Sequence, residues 1–150
     1  MDQRVVLTRI ELVSHDYGSL GEALVVAQSL EHGCSVFPEF GDNSKIDLIL
    51  EDGSRTLHRI QVKMVSREKD SPDVSKLYLY KSGPNYSFTY EESMIDWFAV
   101  VDVVTKKIAW VKSSVLSTHK RQLQLRHAIP KNGQQKGIVY FDDYTQFPFS

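Results

Sequence analysis

The sequence has a single cysteine, no long apolar run and no acidic residue between positions 103 and 141. With Cys34 alone, the chain cannot form an internal disulfide or a cysteine-based zinc site. Its longest apolar runs, residues 23–27 and 97–101, fall far short of the roughly 20 residues that span a bilayer. The first residues, MDQR, do not resemble a signal segment. We therefore expect a cytoplasmic protein with no membrane partner.

Charge is distributed unevenly along the 150 residues, although the net charge is only −1. Residues 1–102 contain 10 lysines and arginines against 17 aspartates and glutamates, whereas residues 103–141 contain 8 basic residues and no acid. An acidic part joined to a basic part suggests metal chemistry in the first and contact with a polyanion in the second. A solvated basic face explains the composition equally well, so composition alone does not decide between them.

Hydrophobic periodicity predicts one helix followed mainly by strands. The helix begins at Ser19 and stops at Gly33, and its apolar face carries Leu20, Ala23, Val26, Ala27 and Leu30. Strands are predicted over residues 34–37, 45–50, 56–64, 76–81, 95–104, 107–112 and 122–126, with a loop over 66–75 and a short helix over 138–144. This order is typical of an α/β (α+β) domain built on a central sheet. No linker divides the chain, so we expect one domain over residues 1–150.

The second and third predicted strands carry residues that suit phosphodiester hydrolysis. An Asp-Gly turn at residues 51–54 joins them as an antiparallel hairpin. Asp47 then lies beside the strand on which Gln61 and Lys63 share a face, and Glu22 comes from the preceding helix. Mg²⁺ prefers such hard oxygen ligands, and a nearby lysine stabilises developing charge. A cross-strand Asp47–Lys63 ion pair and a solvated Glu22 at the first helical turn are the simpler interpretations.

The residues around these four positions resemble a known family. The order Glu, Asp, (Asp/Glu/Gln)-x-Lys on a helix and a hairpin resembles the PD-(D/E)XK nuclease superfamily, with Ile46 at the proline position. Within it, the sequence is similar to the bacterial group I intron-encoded homing endonucleases. The matching segments are LGEA at 20–23, GDNSKIDLI at 41–49, IQVK at 60–63, DWFAVV at 96–101 and KNGQQKGI at 131–138.

The resemblance implies a restriction-endonuclease-like fold, with helices flanking a central mixed sheet, and a metal-dependent homing endonuclease. Such an enzyme hydrolyses double-stranded DNA at the intron insertion site. Carried over by position, Glu22, Asp47 and Gln61 match the residues that bind one or two Mg²⁺ ions, and Lys63 matches the invariant lysine. A catalytic core then spans about residues 18–65. A restriction enzyme, a Holliday-junction resolvase and a non-catalytic DNA-binding module are the alternatives. Glu11 is a possible further carboxylate.

The basic segment then becomes the expected contact with double-stranded DNA. A strand-rich part over about residues 76–141 would track phosphates and form an oligomer, a dimer or tetramer, because one chain carries one site and a duplex has two strands. We expect the bacterial cytoplasm as the location. The candidate DNA-binding residues are Lys76, Tyr80, Lys81, Lys106, Lys107, Lys120, Arg121, Arg126 and Lys131.

Overall fold

The structure is a computed structural model and describes residues 14–149, so Glu11 lies outside the described residues. It contains a long helix α1 (Ser14–Glu31), one helical turn α2 (Val115–Thr118) and a 3-10 helix over Phe141–Tyr144. The strands are β1 Ser35–Pro38, β2 Leu48–Glu51, β3 Leu57–Val65, β4 Arg67–Glu68, β5 Ser71–Tyr78, β6 Tyr80–Gly83, β7 Tyr86–Thr89, β8 Trp97–Asp102, β9 Ile108–Lys112 and β10 Gln122–Arg126. Within this range, no helix is long and apolar enough to cross a membrane.

A five-stranded mixed sheet in the order β1-β2-β3-β8-β9 forms the centre of the fold. Strands β3 and β8 run parallel, with Ile60 opposite Trp97 and Val65 opposite Asp102, and the other neighbouring pairs are antiparallel. Strands β10-β5-β4 form a second sheet, and β6-β7 form a separate hairpin. The predicted α+β class with a central mixed sheet is therefore confirmed.

Alternate residues of β8 divide the core into two layers. Phe98 and Val100 are fully buried in a cluster with Leu77 of the second sheet. Ala99 and Val101 are fully buried in a cluster that includes residues of α1. A strand that is buried on both faces reads as a continuous apolar run, as this one does. The central sheet is thus covered by α1 on one face and by the second sheet on the other.

The end of the chain returns to the α1 side of the sheet. Phe149 is buried, with its ring stacked on His58 at a centroid distance of 4.0 Å and edge-on to Trp110 at 5.6 Å. Phe147 stacks on His32 at 4.2 Å. Trp110 itself is almost completely buried, so it is a core residue.

The predicted apolar face of the helix is wrong at three of its five residues, whereas Leu20 and Val26 are partly buried and Val26 packs against the core. Ala23 and Ala27 are exposed, and Leu30 is 57% exposed. The buried positions are instead Gly21, Val25 and Ser29, which follow one another at four-residue intervals. A Cβ atom at Gly21 would lie 2.7 Å from Met64 Sδ, and the buried Ser29 hydroxyl donates to the Val25 carbonyl over 2.7 Å. Small residues therefore face the sheet because α1 packs closely on β3.

The prediction of a loop over residues 66–75 is also wrong. This segment forms β4 and the first part of β5, which pair antiparallel across the turn at residues 69–70. Val74 and Ser75 are buried because β5 also pairs with β10, where Val74 lies opposite Arg126. The polar composition reflects an exposed edge, which strand propensity alone does not separate from a loop.

Several predicted boundaries move in the structure. The strand predicted over 45–50 becomes β2, Leu48–Glu51, so Asp47 precedes it. Helix α1 begins at Ser14 rather than Ser19. The strand predicted over 76–81 is interrupted at Leu79, where β5 gives way to β6. The helix predicted over 138–144 is reduced to the 3-10 turn over Phe141–Tyr144, because Tyr140 instead forms a β-bridge with Arg126.

Candidate active site

The β2–β3 hairpin holds Asp47 and Gln61 together. Asp47 immediately precedes β2, and its backbone N–H donates to the Ile60 carbonyl of β3 over 2.9 Å. The Asp47 carboxylate bends towards the same strand. Its Oδ2 atom accepts hydrogen bonds from the Val62 N–H and from the Gln61 Nε2, each over 2.8 Å. Asp47 is therefore fixed by β3 through both its backbone N–H and its carboxylate.

The loop before β2 is organised by one carboxylate. Glu39 accepts hydrogen bonds from the backbone N–H of Asn43 over 2.6 Å and from the N–H and hydroxyl of Ser44 over 3.1 and 2.6 Å. The Ser44 hydroxyl, followed by these N–H groups, lowers the pKa of Glu39. The Glu39 N–H also donates to the Asp47 carbonyl over 3.2 Å. The loop thereby fixes the entry of the chain into the site.

Lys63 lies on the same face of β3 as Gln61, but it does not pair with Asp47. Its Nζ atom lies 4.5 Å from the centroid of the Tyr90 ring, whereas the hydrogen bonds to Asp47 come from Gln61 and Val62. Burial, followed by the neighbouring ammonium of Lys81, lowers the pKa of Lys63 to about 8. The simpler interpretation of a cross-strand ion pair is therefore excluded.

Asp47 is unfavourably placed as an anion. Burial raises the pKa of its carboxyl to about 6, and the carboxylate of Glu22 adds to the rise, while the Val62 hydrogen bond and Lys63 oppose it. Glu22 is exposed on α1, next to Gly21, where the helix approaches β3 most closely. Helix packing thus brings a second carboxylate into electrostatic range of the first. A carboxylate in this state gains free energy when a cation binds.

The donor atoms fit a magnesium ion that keeps most of its water ligands. No group of three or more His, Cys, Asp or Glu side chains is arranged to hold a metal within residues 16–149. The predicted set has instead two carboxylates and an amide. Asp47 Oδ1 and Gln61 Oε1 accept no hydrogen bond from this part of the chain, so both oxygens stay available. Mg²⁺ commonly binds through one or two carboxylates and several waters.

A cleft of about 360 Å³ opens over Asp47 and Gln61. The β6–β7 hairpin forms one wall of the cleft and contributes Lys81, Tyr86 and Phe88; the other lining residues are Asp42, Ser44, Lys45 and Tyr90. Lys45 Nζ lies 3.7 Å from the Phe88 ring centroid. Burial raises the pKa of Tyr90 to about 12, so its phenol stays neutral beneath Lys63.

Sequence reasoning missed most of the residues that line this cleft, among them Lys45, Phe88 and Tyr90. A signal was present for Lys45, because it lies two positions before Asp47 in the segment KID. No comparable signal existed for the rings. They belong to a separate hairpin, whose contact with β2–β3 depends on tertiary packing rather than on local pattern.

Four of the predicted DNA-binding residues cluster beside the cleft. Lys81 lines the cleft itself, and Tyr80 precedes it on β6. The Arg121 guanidinium lies 4.4 Å from the Tyr80 ring centroid. Lys120 lines a neighbouring pocket together with Tyr90. We call Tyr80, Lys81, Lys120 and Arg121 the basic ridge.

The other five predicted DNA-binding residues lie elsewhere, and most of them have partners within the chain. Lys76 Nζ is 3.9 Å from Glu68, and Lys107 Nζ is 3.7 Å from Asp142. Lys106 Nζ donates to the Val103 carbonyl, Arg126 Nε donates to the Ala128 carbonyl over 3.2 Å, and Lys131 is exposed in a turn. The structure therefore does not unite these five with the basic ridge.

Two comparisons with known proteins agree with this geometry. The sequence profile of the family described as PD-(D/E)XK endonuclease matches residues 12–147. The fold is similar to that of a bacterial homing endonuclease, I-Ssp6803I, with a TM-score of 0.72 over 83% of this chain and 86% of that chain, at 12% sequence identity. A search of curated proteins found no match. Because the profile covers most of the chain, the protein belongs to the PD-(D/E)XK endonuclease family.

Proposed function

We propose that the protein is a Mg²⁺-dependent endonuclease that cuts double-stranded DNA at one specific site, the insertion site of a group I intron. The observation that carries the proposal is the bonded pair Asp47–Gln61 beside an unpaired Lys63, on the hairpin of a PD-(D/E)XK endonuclease. The similarity of the fold to a bacterial homing endonuclease supports the homing part of the proposal.

The residues of the site divide the chemistry among them. Glu22, Asp47 and Gln61 would hold one or two Mg²⁺ ions per site, and bound Mg²⁺ polarises the scissile phosphate and makes its water more acidic. Gln61 keeps Asp47 oriented through the 2.8 Å hydrogen bond, and as a neutral amide it cannot act as a base. Lys63, held against the Tyr90 ring, stabilises the charge that develops on the phosphate oxygens.

Cutting both strands requires more than one chain. Each chain carries one such site, and two sites related by symmetry would address the two strands of a duplex. We propose a homo-oligomer, a dimer or tetramer, of single nuclease domains in the bacterial cytoplasm. In each domain, about residues 18–65 would form the catalytic core, and about residues 76–141 would contact DNA and the partner chains.

The proposal is tested by incubating the protein with Mg²⁺ and a pool of duplexes that includes intron-less host loci. One discrete double-strand cut is the expected result. Cutting of four-way junctions alone would identify a resolvase, cutting at a short recurrent sequence a restriction enzyme, and binding without cutting a DNA-binding module. Each of these three results contradicts the homing proposal.

The basic ridge is predicted to contribute phosphate contacts. Replacing Lys120 and Arg121 by glutamine should weaken DNA binding and lower the slope of log Kd against log salt by about 2 per chain, because each lost phosphate contact removes about 0.9. Kd would be measured over a series of salt concentrations with Ca²⁺ in place of Mg²⁺. The matched control replaces Lys69 and Arg55, an exposed lysine and an exposed arginine outside residues 76–141, by glutamine. An unchanged slope in the first variant would remove Lys120 and Arg121 from the DNA surface.

A further inference from the structure

We infer that Lys81 is a second catalytic lysine, which contacts the scissile phosphate from the β6–β7 wall of the cleft. The inference rests on the proposed function and assigns a further residue to the same site. It depends on how the hairpin is anchored, on the charges that face the cleft, and on the lack of a partner for Lys81.

The β6–β7 hairpin is anchored to the active site by aromatic contacts. Lys81 lies opposite Phe88 in the hairpin register. The Phe88 ring meets the Tyr90 ring edge-on at a centroid distance of 5.2 Å, and Tyr90 in turn supports Lys63. The Tyr90 N–H also donates to the Leu79 carbonyl over 3.1 Å, which closes the base of the hairpin. Lys81 is therefore held at a defined distance from β3 rather than on a free loop.

The lysines in and beside the cleft differ in whether their ammonium groups already contact an aromatic ring. The Lys45 ammonium sits over the Phe88 ring and the Lys63 ammonium over the Tyr90 ring. Within residues 16–149, no carboxylate lies within ion-pair distance of Lys81, and no ring lies beneath its ammonium. Lys81 nevertheless lines the same cleft as Asp47. An unpaired ammonium at such a position is available to an incoming anion.

The anion that we assign to Lys81 is a phosphodiester, the substrate of the proposed function. Lys45 and Lys81 line the cleft together with two carboxylates, those of Asp42 and Asp47. The Lys63 ammonium lies against the lining ring of Tyr90. Gln61 occupies a position where an acid is common in this family, so β3 offers no carboxylate there that would neutralise the Lys81 ammonium. A phosphodiester carries one negative charge and gains a second when hydroxide, formed as the attacking water loses a proton to solvent, adds to phosphorus. An ammonium carried on an anchored hairpin stabilises that second charge more than the first, which is the condition for a rate effect rather than a binding effect.

The experiment compares Lys81→Met with Lys81→Arg and with the control Lys69→Met, a change of an exposed lysine at the β4–β5 turn. Single-turnover cleavage is measured at saturating protein with Mg²⁺, and Kd is measured with Ca²⁺. We expect Lys81→Met to cut about 10² to 10³ times more slowly, with Kd changed less than about threefold. Lys81→Arg should keep most of the rate, and Lys69→Met all of it.

A second measurement does not depend on cleavage. Acetylation of lysines by acetic anhydride, read by mass spectrometry with and without duplex DNA in Ca²⁺, should show Lys81 protected and Lys69 unprotected. If Lys81→Met lost affinity but kept the saturated cleavage rate, Lys81 would be only a phosphate contact, and the inference would be overturned. Acetylation of Lys81 that DNA does not reduce would overturn it as well. A wild-type protein that cuts no DNA would overturn the proposed function, whereas a cutting wild type with an equally fast Lys81→Met variant would overturn only the role of Lys81.

Discussion

Replacing Asp47 by asparagine is expected to abolish cleavage and at the same time to stabilise the folded protein. Cleavage should fall by about 10³-fold or more, because the charged ligand in the cleft is lost. The gain in stability follows from the state of the carboxylate, whose pKa burial and Glu22 raise from 3.8 to about 6. Asparagine still offers an oxygen to the Val62 N–H, so the hairpin geometry is kept.

The sign of the stability change follows from the direction of this pKa shift. The folded protein binds the Asp47 proton more tightly than the unfolded chain does. Asp47 therefore stabilises the fold below the ordinary pKa of 3.8, and this contribution is lost as the pH rises through about 6. At pH 7 the ionised carboxylate costs about 1–3 kcal/mol, since each pKa unit corresponds to about 1.4 kcal/mol. Asp47→Asn should recover most of that cost.

Urea unfolding at pH 7 and pH 3.5 checks this expectation. Asp47→Asn should be more stable than the wild type at pH 7 and nearly equal to it at pH 3.5. Mg²⁺ should raise the Tm of the wild type and leave that of Asp47→Asn unchanged. Asp42→Asn is the matched control, because it removes an exposed acid from the same cleft. A variant that cuts normally, or that is less stable than the wild type at pH 7, would contradict the role given to Asp47.

The hairpin that carries Asp47 was predictable because its determinants are local. The strands pair as predicted, although the turn is a five-residue loop over 52–56 whose left-handed residue is Arg55 (φ 69°) rather than Gly53. Period-two alternation then places Gln61 and Lys63 on one face. The buried face of α1 was not predictable in the same way. Its apolar residues suggest one stripe, but the close approach to β3 at Gly21 selects another. Periodicity counts apolar residues and does not measure how near two elements can come.

The residues of the cleft also divide into those whose positions follow from local sequence and those whose positions depend on tertiary packing. Asp47 lies just before β2, and Gln61 and Lys63 lie on its partner β3, so a short stretch of sequence determines their proximity. Lys81 was predicted only as one of nine candidate DNA-binding residues, because its position beside Asp47 depends on the β6–β7 hairpin packing through Phe88 and Tyr90. Contacts between elements distant in sequence depend on the packing of the whole core, so residue spacing does not predict them.

The largest loss of stability is expected at Asp102, which lies opposite Val65 of β3. Asp102 is completely buried at the end of β8. Its carboxylate accepts hydrogen bonds from Arg67 Nε and Nη2 over 3.2 and 2.9 Å, and from the Thr105 hydroxyl over 2.7 Å. Burial acts to raise the pKa of Asp102, but the Arg67, Thr105 and Val104 hydrogen bonds outweigh it and lower the pKa to about 2. One carboxylate thus joins β4, β8 and the turn that follows β8.

Asp102→Ala should lower the free energy of unfolding by about 3–5 kcal/mol, because it leaves the mostly buried Arg67 guanidinium without its counter-charge. The lowered pKa fixes the pH dependence: the stabilisation is present above the ordinary pKa of 3.8 and is lost as the pH falls towards about 2. Urea unfolding from pH 7 to pH 2.5 should therefore show the wild type approaching the variant in acid. Asp142→Ala, which breaks the exposed ion pair with Lys107, should change stability little at any pH. If both variants lost the same small amount, the Arg67–Asp102 pair would not hold the two sheets together.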